Sequence, residues 1–306
     1  MSRRLALAAA PLALVIALVT ASGAAAAGGS SRATAFPVTI TAANGKVTVP
    51  KRPTRIVSIS PTSTESLFAI GAGSQVVAVD DQSDYPKAAP RTALSGFTPN
   101  VEAIAAYRPD LVVVSYDPKD LVSALQKLGI PVVFHKPATT IRGAYQQIRQ
   151  LGAVTGHGPQ AAALVARMKT QIARVVAKRK PSAVGASVYH ELDPTFFSAT
   201  SNTFVGRVYA LFGLKNVADA APGGSDYPQL SPEFIVASNP DLVVLADSVC
   251  CGQSADTVAS RPGWSNVKAV RNRTILRIDD SIASRWGPRL VNYVRAVGAA
   301  LGRIGA

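Results

Sequence analysis

The chain has 306 residues, of which 48% are apolar and 16% are charged. This composition excludes an intrinsically disordered chain, and the length is sufficient for two lobes that each bury a core. The formal net charge of +14 suits nucleic acid, an acidic envelope polymer or an anionic small ligand as a partner. The sequence contains no nucleic-acid-binding motif, so nucleic acid is not an expected partner.

Residues 1–27 have the features of a secretory signal peptide. Arg3 and Arg4 precede an uncharged apolar stretch over residues 5–19, and the alanines at 25–27 are small enough for a signal peptidase. The alternative is a transmembrane anchor, but the stretch is short for a span of about 20 residues. No cysteine lies near the cleavage region. We therefore expect export to the periplasm or the cell-envelope exterior, as a soluble rather than lipid-anchored protein.

An N-terminal extension over residues 28–52 is predicted to lead into a first α/β lobe over residues 53–158. Asp117 with Pro118 indicates the start of a helix in this lobe, and Gly129 indicates its end. Alternation of strands and helices implies right-handed βαβ units around a mainly parallel sheet. Apolar β-branched runs predict its strands at residues 55–60, 76–80, 111–115 and 131–134.

Residues 159–180 are predicted to form one long linking helix. The segment has no glycine or internal proline, and apolar residues recur at helical spacing at Leu164, Met168 and Ile172. Pro181 ends it. A helix of this length is about 33 Å long and stiff, so we expect a rigid brace between lobes rather than a flexible hinge.

The second lobe, over residues 181–306, repeats the alternation of strands and helices. The predicted fold class is therefore α/β, with two lobes of mainly parallel sheets flanked by helices and joined by one long rigid helix. Its strands are predicted at residues 183–189, 242–246 and 274–278, and its helices at 201–212 and 288–304.

An internal repeat relates the two lobes. The tetrapeptide Ser-Asp-Tyr-Pro occurs at residues 83–86 and again at 225–228. A second match follows in the same order, since a glutamate and a Pro-Asp-Leu-Val-Val run occur within 102–113 and within 233–244. Two matches in one order predict that the lobes share one supersecondary plan. Because loops at the carboxyl ends of parallel strands line ligand crevices, each tetrapeptide is expected at a shared cleft.

The sequence lacks the local signatures of common enzyme classes. Gly71 and Gly73 resemble the opening of a dinucleotide-binding loop, but a predicted helix precedes them and Val76 occupies the third glycine position. There is no P-loop and no Gly-x-Ser-x-Gly elbow. The histidines are scattered and lack metal-ligand spacing. We therefore expect a protein that is not an enzyme and that has no cofactor and no metal site.

Aromatic residues are few, yet several fall in predicted loops. Loop aromatics flanked by Gly, Pro, Asp and Ser suit a wide cleft for a large planar ligand, although each one alone is also compatible with local packing. These residues are Tyr85, Phe97, Tyr116, Phe196, Phe197, Tyr227 and Trp286.

The loop over residues 279–289 is expected at the same cleft, because it follows a predicted strand and precedes the last helix. Arg285 and Arg289 lie near that helix start, where they would bind carboxylate or phosphate groups. The alternative is a salt bridge with Asp279 or Asp280.

Cys250 and Cys251 are adjacent in the sequence and are its two cysteines. Export makes a disulfide chemically feasible. Consecutive Cα atoms are about 3.8 Å apart, which is below the usual disulfide range. A vicinal disulfide and two free thiols therefore both remain open.

Taken together, these motifs resemble those of the substrate-binding proteins of iron-siderophore, haem and vitamin B12 ABC importers. The resemblance runs over residues 53–304. It implies two α/β lobes, one rigid connecting helix and a cleft between them. The motifs that carry it lie at residues 55–61, 64–65, 83–86, 100–102, 108–112, 228–233 and 285–289.

Within that family the sequence is most similar to the cobalamin-binding branch. The resemblance implies that Tyr85 packs on a corrin ring. Tyr227 and Phe97 stand where that branch has tryptophan, and Tyr116 is near the position of another. The loop around Asp280 and Arg285 would hydrogen-bond the amides of a corrinoid. The predicted ligand-binding residues are Tyr85, Phe97, Tyr116, Phe197, Tyr227, Asp280, Arg285 and Trp286.

The resemblance also implies a docking role for Glu102 and Glu233, one on each lobe, which would contact arginines of the two permease subunits. The alternative is two exposed glutamates favoured by a helix start. The predicted function is capture of a corrinoid by a monomeric protein and its delivery to an ABC permease dimer. A ferric siderophore or haem would make better use of the charge of +12 that remains after removal of Arg3 and Arg4. An extracytoplasmic enzyme and a permease-independent scavenger are the remaining alternatives.

Overall fold

The computed structural model describes residues 35–304, and the predicted signal peptide lies outside the described residues. The chain begins with an antiparallel hairpin of strands β1 (Val38–Ala42) and β2 (Gly45–Val49). Asn44, in the turn, donates its side-chain N–H to the carbonyl of Val132 and accepts from the N–H of Phe134. Much of the predicted extension is thus a hairpin that belongs to the first lobe.

A four-stranded parallel sheet forms the centre of the first lobe, in the order β4-β3-β5-β6. Helices cover it, so β3 and β5 are buried along their whole length, which explains their unbroken apolar sequences. The elements are β3 (Ile56–Ile59), α1 (Pro61–Ala69), β4 (Val76–Val79), α2 (Val101–Ala105), β5 (Leu111–Val114), α3 (Leu121–Lys127), β6 (Val132–Phe134) and α4 (Ile141–Thr155).

Helix α5 (Gly158–Ala177) then leads to the second lobe, whose parallel sheet has the order β8-β7-β9-β10. This order matches that of the first sheet strand for strand. The elements are β7 (Ser187–Glu191), α6 (Phe204–Ala210), β8 (Lys215–Asn216), α7 (Pro232–Ser238), β9 (Leu242–Leu245), α8 (Ala255–Ala259), α9 (Lys268–Arg271), β10 (Ile275–Arg277), α10 (Asp280–Ala283) and α11 (Leu290–Leu301).

The Pro-Asp pair of the repeat performs the same structural task in both lobes. Asp110, before β5, accepts hydrogen bonds of 2.9–3.0 Å from the N–H of Thr54, its hydroxyl and the N–H of Arg55. Asp241, before β9, accepts from the N–H and hydroxyl of Ser187, each at 2.9 Å. Each aspartate therefore fixes the start of the neighbouring central strand. The predicted common plan and the predicted α/β class are both confirmed.

Several predicted boundaries were wrong for local backbone reasons. The strand predicted at 183–189 begins only at Ser187, because a 3-10 turn over Pro181–Ala183 is followed by Gly185 with a φ of +79°. The helix predicted to start near Pro118 begins at Leu121, because the residue before it, Asp120, is in the left-handed region. The predicted helices 201–212 and 288–304 are shorter, at Phe204–Ala210 and Leu290–Leu301.

Helix α5 packs against α4 of the first lobe and α11 of the second. Two glycines allow α5 to pack closely against these two helices. A Cβ on Gly298 would lie 2.7 Å from Val175, and a Cβ on Gly152 would overlap the side chain of Ala161. One continuous hydrophobic cluster runs from the β1–β2 hairpin through α4 and α5 to α11. Within residues 35–304, no helix is both long and apolar enough to cross a membrane.

Candidate functional site

Five of the seven predicted loop aromatics are exposed at the carboxyl ends of the strands, whereas Phe196, stacked on Trp264, and Trp286 are partly buried. Tyr85 and Phe97 follow β4, and Tyr116 follows β5. Phe197 follows β7 and Tyr227 follows β8. In the described part of the chain eight large apolar side chains are exposed, and these five are among them. Exposure at the strand ends of both sheets favours ligand contact over local packing.

A cavity of about 450 Å³, here named the Phe97 cavity, lies between the lobes. Phe97 and Tyr116 contribute from the first lobe, and Asp280 and Arg285 contribute from the second. Four of the predicted ligand-binding residues are therefore brought together. The lining consists of Ile59, Pro61, Asp80, Gln82, Gly96, Phe97, Ser115, Tyr116, Asp280, Ser281, Ser284 and Arg285.

A second interlobe cavity of about 400 Å³, here named the Tyr85 cavity, contains Tyr85 from the first lobe and Arg289 from the second. The Arg289 guanidinium carbon lies 4.6 Å from the centre of the Tyr85 ring, in cation–π contact. The lining consists of Glu65, Phe68, Ala69, Tyr85, Pro86, Pro288, Arg289 and Asn292.

Buried ion pairs join the lobes between these cavities. Glu65 of α1 is 2% exposed and accepts hydrogen bonds from Arg285 at 3.0 Å and from Arg289 at 2.9 and 2.6 Å. Arg285 also donates to the carboxylate of Asp84 at 2.7 Å and to the carbonyl of Gln82 at 2.9 Å. We call these four side chains, Glu65, Asp84, Arg285 and Arg289, the interlobe ion cluster.

The ion cluster shows that the expected salt bridge of the two arginines with Asp279 or Asp280 was wrong, whereas ligand contact by Arg285 stays a prediction. Their partners are carboxylates of the opposite lobe, whereas Asp279 instead accepts from the N–H and hydroxyl of Ser281. Burial opposes the charged form of Arg289, but the hydrogen bonds and charge of Glu65 outweigh it and raise the pKa of Arg289. Burial likewise opposes ionisation of Asp84, yet Arg285 holds the pKa of Asp84 below its ordinary value.

Phe197 and Tyr227 lie on two loops of the second lobe that are joined to each other. Phe197 forms an isolated antiparallel bridge with Gln229, and its carbonyl accepts the N–H of Leu192. The Asp226 carboxylate accepts from the Thr200 hydroxyl at 3.2 Å. Phe197 and Tyr227 are therefore positioned by contacts between residues of the second lobe. Neither residue lines the Phe97 cavity or the Tyr85 cavity.

Trp286 is placed differently from the exposed aromatics. Its indole N–H donates to the side chain of Gln147 in α4 at 2.7 Å, and its ring packs, half-buried, against the main hydrophobic cluster. Its contacts are those of an interlobe packing residue. Ligand contact by Trp286 stays a prediction.

Glu102 and Glu233 occupy matching positions in the two lobes. Both are exposed in the first turn of a helix, Glu102 in α2 and Glu233 in α7. Side chains of the preceding residues Asn100 and Ser231 cap these helices. Each helix precedes the equivalent strand, β5 or β9, so the pseudo-symmetry predicted from the repeat extends to both glutamates.

The second lobe also carries the two cysteines, in the loop after β9. The structure pairs Cys250 and Cys251 as a vicinal disulfide. The N–H of Cys251 donates to the carbonyl of Asp247, a fully buried residue whose carboxylate oxygens have no hydrogen-bond partner in the described chain. Burial, reinforced by the charge of Glu191, raises the pKa of Asp247 to about 7.

Nothing in the described chain resembles a metal centre: over residues 35–304, no three His, Cys, Asp or Glu side chains are grouped to hold an ion. His190 is fully buried and bonded to the Tyr209 hydroxyl, and burial lowers its pKa to about 3. His135 is buried beside Gln150, with its pKa lowered to about 4 by burial. Both histidines are therefore neutral core residues.

Comparison with known proteins agrees with this architecture. The family model for periplasmic binding proteins matches residues 56–282. The "Uncharacterized ABC transporter substrate-binding lipoprotein YvrC" of Bacillus subtilis is 32% identical over 269 residues, which cover 85% of this chain and 83% of that protein. Its name describes a lipoprotein, which differs from the soluble form predicted here.

Two further similar proteins have names that state a ligand. The "Cobalamin-binding protein" of Halobacterium salinarum is 33% identical over 273 residues, covering 86% of this chain and 73% of that protein. The crystal structure of the periplasmic haem-binding protein HutB of Vibrio cholerae has a TM-score of 0.71 and 26% identity, covering 80% of this chain and 97% of that one. The chain belongs to the periplasmic binding protein family, whose members are extracytoplasmic substrate-binding proteins of ABC importers for vitamin B12, haem and iron chelates.

Proposed function

We propose that this protein captures a corrinoid, cobalamin or a related compound, between its two lobes and delivers it to the permease of an ABC importer. The cleft holds exposed aromatic rings, which suit the faces of a large planar ligand. The halobacterial relative, named a cobalamin-binding protein, supports the same choice.

The observation that carries this choice over haem or a ferric siderophore is the charge of the cleft. The residues that line the two interlobe cavities include three acidic and two basic side chains. Both basic side chains, Arg285 and Arg289, are already paired with Glu65 or Asp84. The excess positive charge of the protein therefore lies outside the cavities, and an anionic ligand would gain little from it there. The many amide groups of a corrinoid suit such neutralised walls.

Haem or a ferric siderophore in the same transport role is the second candidate. The haem-binding protein HutB has a similar fold, and exposed tyrosines such as Tyr116 offer phenolate oxygens to a ferric ion. Calorimetric titration of the purified protein with cyanocobalamin, cobinamide, haem and a ferric siderophore separates the candidates. We expect tight binding of the corrinoids and weak binding of the other two. Tight binding of haem or the siderophore alone would contradict the proposal.

Delivery is proposed to depend on Glu102 and Glu233 as docking residues for the two permease subunits. A pseudo-symmetric pair of carboxylates suits a symmetric dimer that presents cationic residues. Replacing both (Glu102→Arg with Glu233→Arg) is expected to abolish uptake of labelled cyanocobalamin into cells and leave the calorimetric affinity unchanged. Asp256→Arg is the matched control, because Asp256 is also exposed in the first turn of a helix, α8. Loss of ligand affinity in the double variant would remove the support for docking.

The proposed mechanism includes little hinge closure and no catalytic step. Helix α5 packs on both lobes, and the ion cluster and the Trp286–Gln147 hydrogen bond tie them at the cleft. We propose a soluble monomer outside the cytoplasm. Cell fractionation with detergent phase partitioning tests this part, because recovery in the detergent phase would indicate a lipid anchor like that named for the Bacillus relative.

A further inference from the structure

A buried carboxyl group, one oxygen of which has no hydrogen-bond partner among the described residues, lines the Phe97 cavity. Asp80, directly after β4, is 2% exposed, yet it is among the residues that line this cavity. Its Oδ1 accepts the N–H of Gln82 at 3.0 Å, whereas its Oδ2 has no hydrogen-bond partner among the described residues. A buried polar atom that is left unpaired is costly, so such an atom beside a cavity indicates a partner that the chain itself does not supply.

Neighbouring hydroxyl groups do not supply the missing partner, because their hydrogens are already used. Ser58 donates to the carbonyl of Ser60 at 3.3 Å, and Thr64 donates to the hydroxyl of Ser58 at 2.9 Å. Thr64 has one hydroxyl hydrogen, so the 3.0 Å contact between Thr64 and Ser83 requires Ser83 to be the donor. The Ser83 hydroxyl is near enough to Asp80 to oppose the rise in its pKa, but in this arrangement its hydrogen is directed to Thr64, and Oδ2 is left without a hydrogen-bond partner among the described residues.

The surroundings of Asp80 also leave space on its cavity side. Gly96 lines the same cavity, and a Cβ at that position would lie 3.4 Å from the carboxyl carbon of Asp80. Any larger residue at 96 would cover the carboxyl group. Asp280 and Arg285 line the cavity from the second lobe.

We propose that Asp80 is a specificity-determining residue that accepts a hydrogen bond from an N–H or O–H group of the ligand, at the first-lobe wall of the Phe97 cavity. The proposal rests on the proposed function and sharpens it: the ligand presents a donor, such as a side-chain amide of a corrinoid, to this wall. A ligand that presents a carboxylate there would meet repulsion instead.

The proposed contact couples ligand binding to a proton. Burial raises the pKa of Asp80 to about 6, with the Asp81 carboxylate adding to the rise, while polar groups of Ser83 and Gln82 oppose it. A ligand donor favours the carboxylate, so binding lowers the pKa of Asp80 and releases a proton near pH 6. The affinity for the ligand is then at its full value above about pH 7, and it falls as the pH drops through 6. The other ionisable groups lining this cavity are Asp280, Arg285 and Tyr116.

The test is calorimetric titration with cyanocobalamin between pH 5 and pH 7.5, in two buffers of different ionisation enthalpy. The wild-type affinity is expected to fall about tenfold from pH 7 to pH 5, with release of up to one proton near pH 6. Asp80→Asn keeps the shape of the side chain, and its affinity is expected to be independent of pH. Asp256→Asn, which removes an exposed carboxylate in α8 and leaves Asp80 intact, is the matched control and is expected to retain the wild-type pH dependence.

The outcomes separate this inference from the proposed function. Wild-type protein that binds cyanocobalamin without proton release near pH 6 overturns the role of Asp80, and that measurement needs no folded variant. An unchanged pH profile in Asp80→Asn overturns it as well. Failure of wild-type protein to bind either cyanocobalamin or cobinamide contradicts the proposed function, and the role of Asp80 falls with it.

Discussion

The two Ser-Asp-Tyr-Pro loops have the same sequence and follow equivalent strands, yet their surroundings differ. In the first loop Ser83 is buried against Thr64, and Asp84 is bonded to Arg285 of the opposite lobe. In the second loop Ser225 is exposed, and Asp226 is bonded within its own lobe.

This difference shows what an internal repeat preserves. Strand order and the aspartates that fix the central strands are common to both lobes. The interlobe contacts are not common to both lobes, because the arginines that make them, Arg285 and Arg289, lie in the segment after β10. After β6, the corresponding segment carries Lys136, placed over the ring of Phe134, and Arg142, which is exposed in the first turn of α4. The first loop is therefore part of the contact between the lobes, whereas the contacts of Asp226 in the second loop, within residues 35–304, lie in its own lobe.

Removing Glu65, the most buried residue of the interlobe ion cluster, should have the largest effect on the stability of the protein. Glu65→Ala leaves Arg285 and Arg289 without their shared buried carboxylate, and we expect a loss of about 3–5 kcal/mol in the free energy of unfolding. Urea denaturation at pH 7 measures it. Glu102→Ala removes an exposed carboxylate and should change stability by less than about 0.5 kcal/mol. A loss below 1 kcal/mol for Glu65→Ala would contradict the importance given to the ion cluster.

Replacing the two tyrosines tests whether both loops meet the ligand. Tyr85→Ala and Tyr227→Ala are each expected to weaken cyanocobalamin binding about tenfold, through loss of an aromatic face. Tyr227→Trp should strengthen binding several-fold, because indole offers a larger face. Leu128→Ala is the control, since Leu128 is also exposed but lies at the end of α3, away from the strand carboxyl ends. Unchanged affinity in either alanine variant would remove that loop from the site.

The smallest expected effect is a difference in stability between variants of Asp84 and Asp226, the two aspartates of the repeated tetrapeptide. Asp84→Asn should lower stability by about 0.5–1 kcal/mol at low salt, because a salt-screened ion pair with Arg285 is lost. Since Arg285 holds the pKa of Asp84 below its ordinary value of 3.8, this contribution is present above that pH and disappears as the pH falls further. Asp226→Asn keeps an acceptor for Thr200 and should change stability less. Denaturation at two salt concentrations compares them, and equal salt dependence would contradict the distinction.

Much of the fold follows from local sequence. Buried parallel strands appear as continuous apolar runs, such as β5 and β9, and helix α5 is recognisable by its spacing of apolar residues. The β1–β2 hairpin was missed because alternating Val and Thr in a segment classed as an extension give only a weak signal. The late start of β7 depends on the positive φ of Gly185, which no apolar pattern reveals.

The candidate site was predictable only in part. Loop aromatics such as Phe97 and Tyr116 could be found because their position after strands is encoded locally. The ion cluster joins Glu65 to residues 220 and 224 positions away, and no local pattern reports such a pairing. Asp80 was missed because one aspartate after a strand is common. Asp80 stands out only in the structure, where it is buried and its Oδ2 has no hydrogen-bond partner among the described residues.

The position of cyanocobalamin in a crystal structure of the complex tests the central claim most directly. The corrin ring is predicted between Tyr85, Phe97 and Tyr116 of one lobe and Phe197 and Tyr227 of the other, with the Glu65–Arg285 and Glu65–Arg289 pairs intact. A corrinoid bound outside the interlobe cleft, or one whose phosphate displaces Glu65 from both arginines, would contradict it.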